Sequence, residues 1–199
     1  ENYLGNGTSV PSGARVEFSD YQGSMYTIAV GAIDSSGKKS YYSQIGSALV
    51  VSAPSNGEIG IMTTDRTGHY GYNDVISGGW AGNDIRGSGD YSKTFGGTSS
   101  ACPTVSGVIA LMLQRNPNLS WRDVQEILIR SAKKVDENDS DWISANRTDH
   151  VTGNATVPFH FNHKYGAGLV DAAAAVALSG NWTNLWPQKS QTVTTNSTT

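Results

Sequence analysis

Two stretches of this sequence, 25–33 and 48–54, place apolar residues at consecutive positions instead of every second one. The first reads Met25-Tyr26-Thr27-Ile28-Ala29-Val30-Gly31-Ala32-Ile33 and is closed by the turn-like Asp34-Ser35-Ser36-Gly37. The second, Ala48-Leu49-Val50-Val51-Ser52-Ala53-Pro54, stops at Pro54 and a Ser55-Asn56-Gly57 turn. A strand with one wet face alternates, whereas a strand covered on both faces does not, and coverage of both faces is the habit of parallel sheets. The expectation is an α/β fold: a parallel sheet flanked by helices. Residues 59–64 suit a short third strand. Residues 65–95, rich in Gly, Asn and Asp, read as a long loop of the kind that serves a site.

Beyond Thr98 the periodicity changes. Val105, Val108, Ile109, Leu111, Met112 and Leu113, diluted only by Ser106, Gly107 and Ala110, predict an apolar core helix that Pro117 ends. Ser120 followed by Asp123 forms a capping-box pattern and opens a second helix through Val124, Ile127 and Leu128. Residues 1–24 and 134–168 read as polar loop, and the alanine-rich 169–178 as a last helix. Residues 1–187 thus form one unit, and the Ser/Thr-dominated 188–199 is expected to be a linker toward a following domain.

With 199 residues, 37% hydrophobic content and 23 glycines, the chain has the material for one loop-rich globular core. A net charge of −3 without any basic block argues against a nucleic-acid surface. The one cysteine, Cys102, excludes an internal disulfide and is expected to pack as a small buried apolar residue rather than to react. No apolar stretch reaches the ~18 residues of a membrane span, so no membrane anchor lies in this segment. Seven Asn-x-Ser/Thr sequons, at Asn6, Asn118, Asn138, Asn146, Asn154, Asn181 and Asn196, point to a glycoprotein of the secretory pathway.

The chemistry-bearing motif is Gly96-Gly97-Thr98-Ser99-Ser100-Ala101-Cys102-Pro103. It puts a hydroxyl at the first turn of a buried helix, where unpaired N–H groups and the positive dipole end stabilise an alkoxide or an oxyanion. The two glycines let another chain approach the backbone closely, and Pro103 is expected in the first turn, where its missing N–H costs little. Taken alone, the same residues equally describe an ordinary Ser/Thr helix cap.

Their company decides between the two. Gly-Thr-Ser-small-Ala-x-Pro before an apolar helix resembles the nucleophile motif of subtilisin-like serine proteases (peptidase S8). Asn116-Pro117-Asn118-Leu119-Ser120-Trp121-Arg122-Asp123-Val124-Gln125 and His163-Lys164-Tyr165-Gly166-Ala167-Gly168-Leu169-Val170-Asp171-Ala172 resemble the kexin/furin proprotein-processing branch. So do Tyr26-Thr27-Ile28-Ala29-Val30-Gly31-Ala32-Ile33-Asp34 and Tyr42-Ser43, in the same order, over roughly residues 1–187. The resemblance implies the C-terminal part of a subtilisin-like fold in a serine endopeptidase, with Ser99 as nucleophile and polypeptides as substrates. An α/β-hydrolase is excluded because residues 97–101, Gly-Thr-Ser-Ser-Ala, lack the last glycine of Gly-x-Ser-x-Gly.

Subtilisin-type triads run Asp, His, Ser along the chain. His69 stands too close to Ser99 and lacks a His-Gly-Thr context, while His150, His160 and His163 follow the serine. The triad Asp and His are therefore expected upstream of Glu1, and this segment by itself is expected to be inactive. In Gly5-Asn6-Gly7 the resemblance assigns Asn6 to the oxyanion hole, with an asparagine upstream of Glu1 as the alternative. Asp20 takes the place of the S1 acid that selects basic P1 residues if one residue is deleted after it; direct alignment puts Ser19 there. The family's calcium-ligating Glu is replaced in Tyr42-Ser43-Gln44 by Gln44, and a neutral amide binds calcium weakly, so calcium belongs to the full domain while this site is degraded. A non-catalytic relative that keeps the fold and binds proteins is the other functional class compatible with the motifs.

Overall fold

Strands β3 (Ala29–Ile33) and β4 (Leu49–Pro54) pair in parallel, as the two unbroken apolar runs predict. The computed structural model describes residues 2–3, 9–10, 15–71, 89–149 and 156–191. Two-residue strands β1 (Asn2–Tyr3) and β2 (Ser9–Val10) form an antiparallel pair at the start. Strands β5 (Ile61–Thr64) and β6 (Tyr91–Phe95) pair antiparallel, and so do β7 (Ile143–Thr148) and β8 (Thr156–Phe161). The helices are α1 (Thr98–Arg115), α2 (Trp121–Ser131) and α3 (Ala172–Gly180).

The parallel ladder extends past β4. Ala167 N–H donates to Val50, Ser52 N–H to Gly168 and Val170 N–H to Ser52, so an extended segment lies along the second edge of β4. Small side chains make this sheet thin. A Cβ on Gly31 would overlap the Ser52 hydroxyl on the adjoining strand, and Ala32 and Ala53 are wholly buried. Helix α1 rests on that surface through Ala101, Val105, Val108 and Met112, and Ile127 and Leu128 of α2 and Ala175 of α3 complete the core. Each of the Val, Ile, Leu and Met side chains buried there contributes about 1.5–3 kcal/mol.

Several sequence expectations need correction, beginning with residues 1–24, expected to be loop, which hold β1 and β2. Residues 134–168 are not loop throughout, since the β7–β8 hairpin occupies much of them. Strand β7 is mostly solvent-exposed and carries no apolar pattern, whereas in β8 Val157, Phe159 and Phe161 do alternate, with Pro158 between them arguing against a strand. Likewise β6 lies inside the stretch expected to be loop. Helix α1 is not covered all round: its buried stripe recurs every three or four residues from Ala101 to Met112, leaving Leu111 50% and Leu113 39% exposed. Cys102, one step around the helix from Ala101, falls off that stripe and is exposed. Among the described residues no helix is long and apolar enough to cross a membrane.

Candidate active site

The candidate nucleophile emerges where β4 and β6 end. Strand β6 runs into Gly96-Gly97, and Gly97 caps α1 with φ 76° and ψ 175°, a backbone conformation essentially reserved for glycine. No side chain caps this helix. Ser99 is the second helical residue and is exposed, and its N–H belongs to the first turn, which has no intrahelical acceptor. The hydroxyl that turns back to the helix start is that of Ser100, which donates to the Gly97 carbonyl at 3.0 Å. Ser99 therefore has no capping role to explain it. Pro103 lies past the first turn, contrary to expectation. An N–H there would have met the Ser99 carbonyl four residues back, so that carbonyl lacks its usual i+4 amide donor.

Two residues that follow β4 grip the glycine. Asn56 Oδ1 accepts the Gly97 N–H at 2.7 Å and the Tyr42 phenol O–H at 2.6 Å. Ser55 Oγ donates to the Gly97 carbonyl at 2.7 Å and lies 2.7 Å from Ser100 Oγ. A Cβ on Gly96 would collide with the Asn56 carboxamide, which explains the first glycine of the pair. Sequence reasoning reads Ser55-Asn56-Gly57 only as a turn, and nothing local distinguishes it; the contact with Gly97 spans 41 residues.

Asn6 lies outside the described residues. Asp20 is exposed on a turn held by Gly23 N–H to the Ser19 carbonyl at 2.7 Å. That turn follows residues fastened ahead of β4: Val16 N–H donates to Ile45, and Glu17 accepts the Ser47 N–H at 3.0 Å. No hydrogen bond or ion pair joins Asp20 to Ser99 among the described residues. His160 packs edge-on against Trp142, and burial, aided by the Lys134 charge, holds its imidazole below the usual histidine range. His163 sets its edge against Phe161. Neither contacts Ser99. His150 lies outside the described residues.

In Tyr42-Ser43-Gln44, Tyr42 goes to Asn56 and Ser43 Oγ accepts the Ala32 N–H at 3.0 Å, pinning β3. Gln44 is half-buried. Among the described residues no three His, Cys, Asp or Glu side chains converge as a cation site. Among the described residues, none beside Gln44 completes the multiple-carboxylate oxygen set that calcium prefers.

Residues 4–168 match the subtilase family, peptidase S8. Over 159 residues the chain is 40% identical to a calcium-dependent protease of Trichormus variabilis, covering 76% of this chain and 21% of that protein. It is 35% identical over 179 residues to a kexin of Candida albicans, covering 88% of this chain and 16% of that one. The chain thus spans about a fifth or less of the length of these curated relatives. The crystal structure of the serine protease of Aeromonas sobria matches with a TM-score of 0.66 at 30% identity, over 80% of this chain and 30% of that one. The parallel pair, the helix laid on it and the glycine turn at its head are parts of a subtilisin-like α/β fold. On a family match that takes in β3 through β8 and the whole of α1 and α2, the chain belongs to the subtilase family.

Proposed function

We propose that this chain carries the nucleophile half of a serine endopeptidase, with Ser99 attacking the scissile carbonyl. The observation that carries the reading is the position of Ser99: exposed at the second residue of α1 and released from capping by a glycine that side chains hold. The Ser99 oxygen forms the bond to the carbonyl carbon while its proton passes to a histidine base. The carbonyl oxygen, now negative, is met by N–H groups at the start of α1 and by the amide of Asn6. The family's Asp, His, Ser order places the base and its aspartate before Ser99, and with His69 lacking the His-Gly-Thr context we take both to come from outside residues 1–199; His160 and His163 are engaged with aromatic rings. Polypeptides are the substrates, and Asp20 favours Lys or Arg at P1. The named calcium dependence of one relative extends to the complete protein through ligands other than Gln44.

A secretory setting is part of the same reading, because Asn118, Asn138, Asn146 and Asn181 all stand exposed in their sequons. The decisive experiment labels the complete gene product with a fluorophosphonate and maps the adduct. Labelling at Ser99, lost in Ser99→Ala together with peptide hydrolysis, supports the reading. A well-folded wild type that neither labels nor hydrolyses any peptide is instead a non-catalytic binder.

A further inference from the structure

Gly97 is unusual in how its two peptide groups are satisfied. Neither its N–H nor its C=O pairs along a strand: the N–H goes to the Asn56 carboxamide, and the carbonyl receives side-chain hydroxyls as well as the Ser100 N–H. With φ at 76° and no Cβ, glycine has little preference of its own among neighbouring conformations. The direction in which α1 leaves the turn is thus set by its partners, Asn56 on the N–H and Ser55 on the carbonyl. Asn56 is in turn oriented by Tyr42, whose O–H occupies the second lone pair of the same oxygen at 2.6 Å. Tyr42 also reaches the Asn56 main-chain carbonyl at 3.0 Å, so one phenol spans both the side chain and the backbone of Asn56.

We infer that Asn56, held by Tyr42, is a positioning residue for Ser99: it fixes the Gly97 peptide and through it the trajectory of the nucleophilic hydroxyl two residues on. The inference rests on the reading of Ser99 as nucleophile. Reacting groups displaced by about 1 Å lose up to ~100-fold in rate, so a loosened Gly97 acts on the chemical step and leaves substrate binding largely alone.

The test uses the complete gene product as wild type, Asn56→Leu, Asn56→Asp and Tyr42→Phe. It measures the second-order rate of fluorophosphonate labelling at Ser99, kcat and KM for one peptide, and Tm. Asn56→Leu and Tyr42→Phe are expected to slow labelling and lower kcat by about 10–100-fold with KM within about twofold. Asn56→Asp, which keeps an acceptor for both the Gly97 N–H and the Tyr42 O–H, recovers most of the rate. Should Asn56→Leu fail to fold, Tyr42→Phe, which removes a single hydroxyl, carries the test. Wild-type rates in folded variants, no recovery in Asn56→Asp, or losses that merely track Tm overturn the inference and leave the protease reading standing. A wild type that does not label removes both.

Discussion

Trp182 donates its indole N–H to Asp123 Oδ1 at 2.9 Å, fastening the chain that follows α3 to the first turn of α2. The same carboxylate accepts the Leu185 N–H at 2.7 Å and the Ser120 N–H and hydroxyl at 2.7 and 2.6 Å, and Asp123 is wholly buried. One acid thus closes the capping box and anchors the strap beyond α3. Trp182→Phe removes a hydrogen bond to a buried charge, expected to cost about 1.5–3 kcal/mol. It also weakens the stacking of Arg130 on this ring, 5.0 Å from its centroid. Denaturant unfolding of the two proteins side by side reads the difference as a lower midpoint with an unchanged slope. An unaltered midpoint would show that the strap contributes nothing to stability.

Acid sensitivity follows from the same carboxylate. Burial opposes its charge, but the Leu185 N–H, the Ser120 hydroxyl, the Trp182 indole and the Ser120 N–H together outweigh burial and hold it below the usual aspartate range. A pKa lowered by folding stabilises the protein fully above the unfolded value, about 3.9, and that contribution fades as pH falls through the folded value. Stability of wild type minus Asp123→Asn should therefore be level above about pH 5 and shrink below pH 4. A difference that stays constant down to pH 2 would mean that Asp123 does not titrate with unfolding.

Gly97→Ala should be disproportionately harmful for a methyl group in open space. The added Cβ meets only Ser99, at 3.6 Å or more, so crowding is not the reason. The conformation at φ 76° is, and it costs an L-residue about 1–3 kcal/mol unless the turn rearranges. Thermal unfolding together with the fluorophosphonate labelling rate gives the answer: lower Tm and slower labelling are expected. Wild-type values in both would mean that the turn tolerates a side chain.

Asp20 is the acid to test for specificity. If it lines S1, Asp20→Asn shifts the ratio of kcat/KM for matched Arg and Leu P1 peptides by about 2–5 kcal/mol toward Leu, and by far less if the carboxylate sits at a rim. Adding a calcium chelator to the wild type separates the two possible sources of negative selectivity. A collapse of the Arg preference on chelation, with Asp20→Asn neutral, would transfer the role to a bound cation.

Much of the architecture is written locally. The runs around Ala32 and Val51 name buried parallel strands because every position is apolar or small, and Ser120 with Asp123 spells out the start of α2. The turn before α1 is legible as well, since glycines, hydroxyl and apolar helix are contiguous, and it makes Ser99 the candidate nucleophile. The β7–β8 hairpin is less so: Val157, Phe159 and Phe161 alternate, but Pro158 interrupts them and β7 is mostly exposed, with no matching apolar face. Asn56 and Tyr42 are not legible. Asn56 reads as an ordinary turn residue, and Tyr42 only as part of the Tyr42-Ser43 resemblance, until the fold brings Asn56 to Gly97 and Tyr42 to Asn56; spacing along the chain holds no trace of either meeting.

The ladder on the second edge of β4 also sets an order of events. Ser52 donates its hydroxyl to the Tyr165 carbonyl across 113 residues, and the strand edge beside it is completed by residues 167–170. Closing so long a loop is entropically slow, and non-local pairings of this kind retard folding. While the chain is being made, β4 must wait with one edge bare through the synthesis of α1 and α2, at roughly 5–20 residues per second. The turn that carries Ser99 leans on the end of that same strand, so it settles late in biogenesis, after its own helix has long been available.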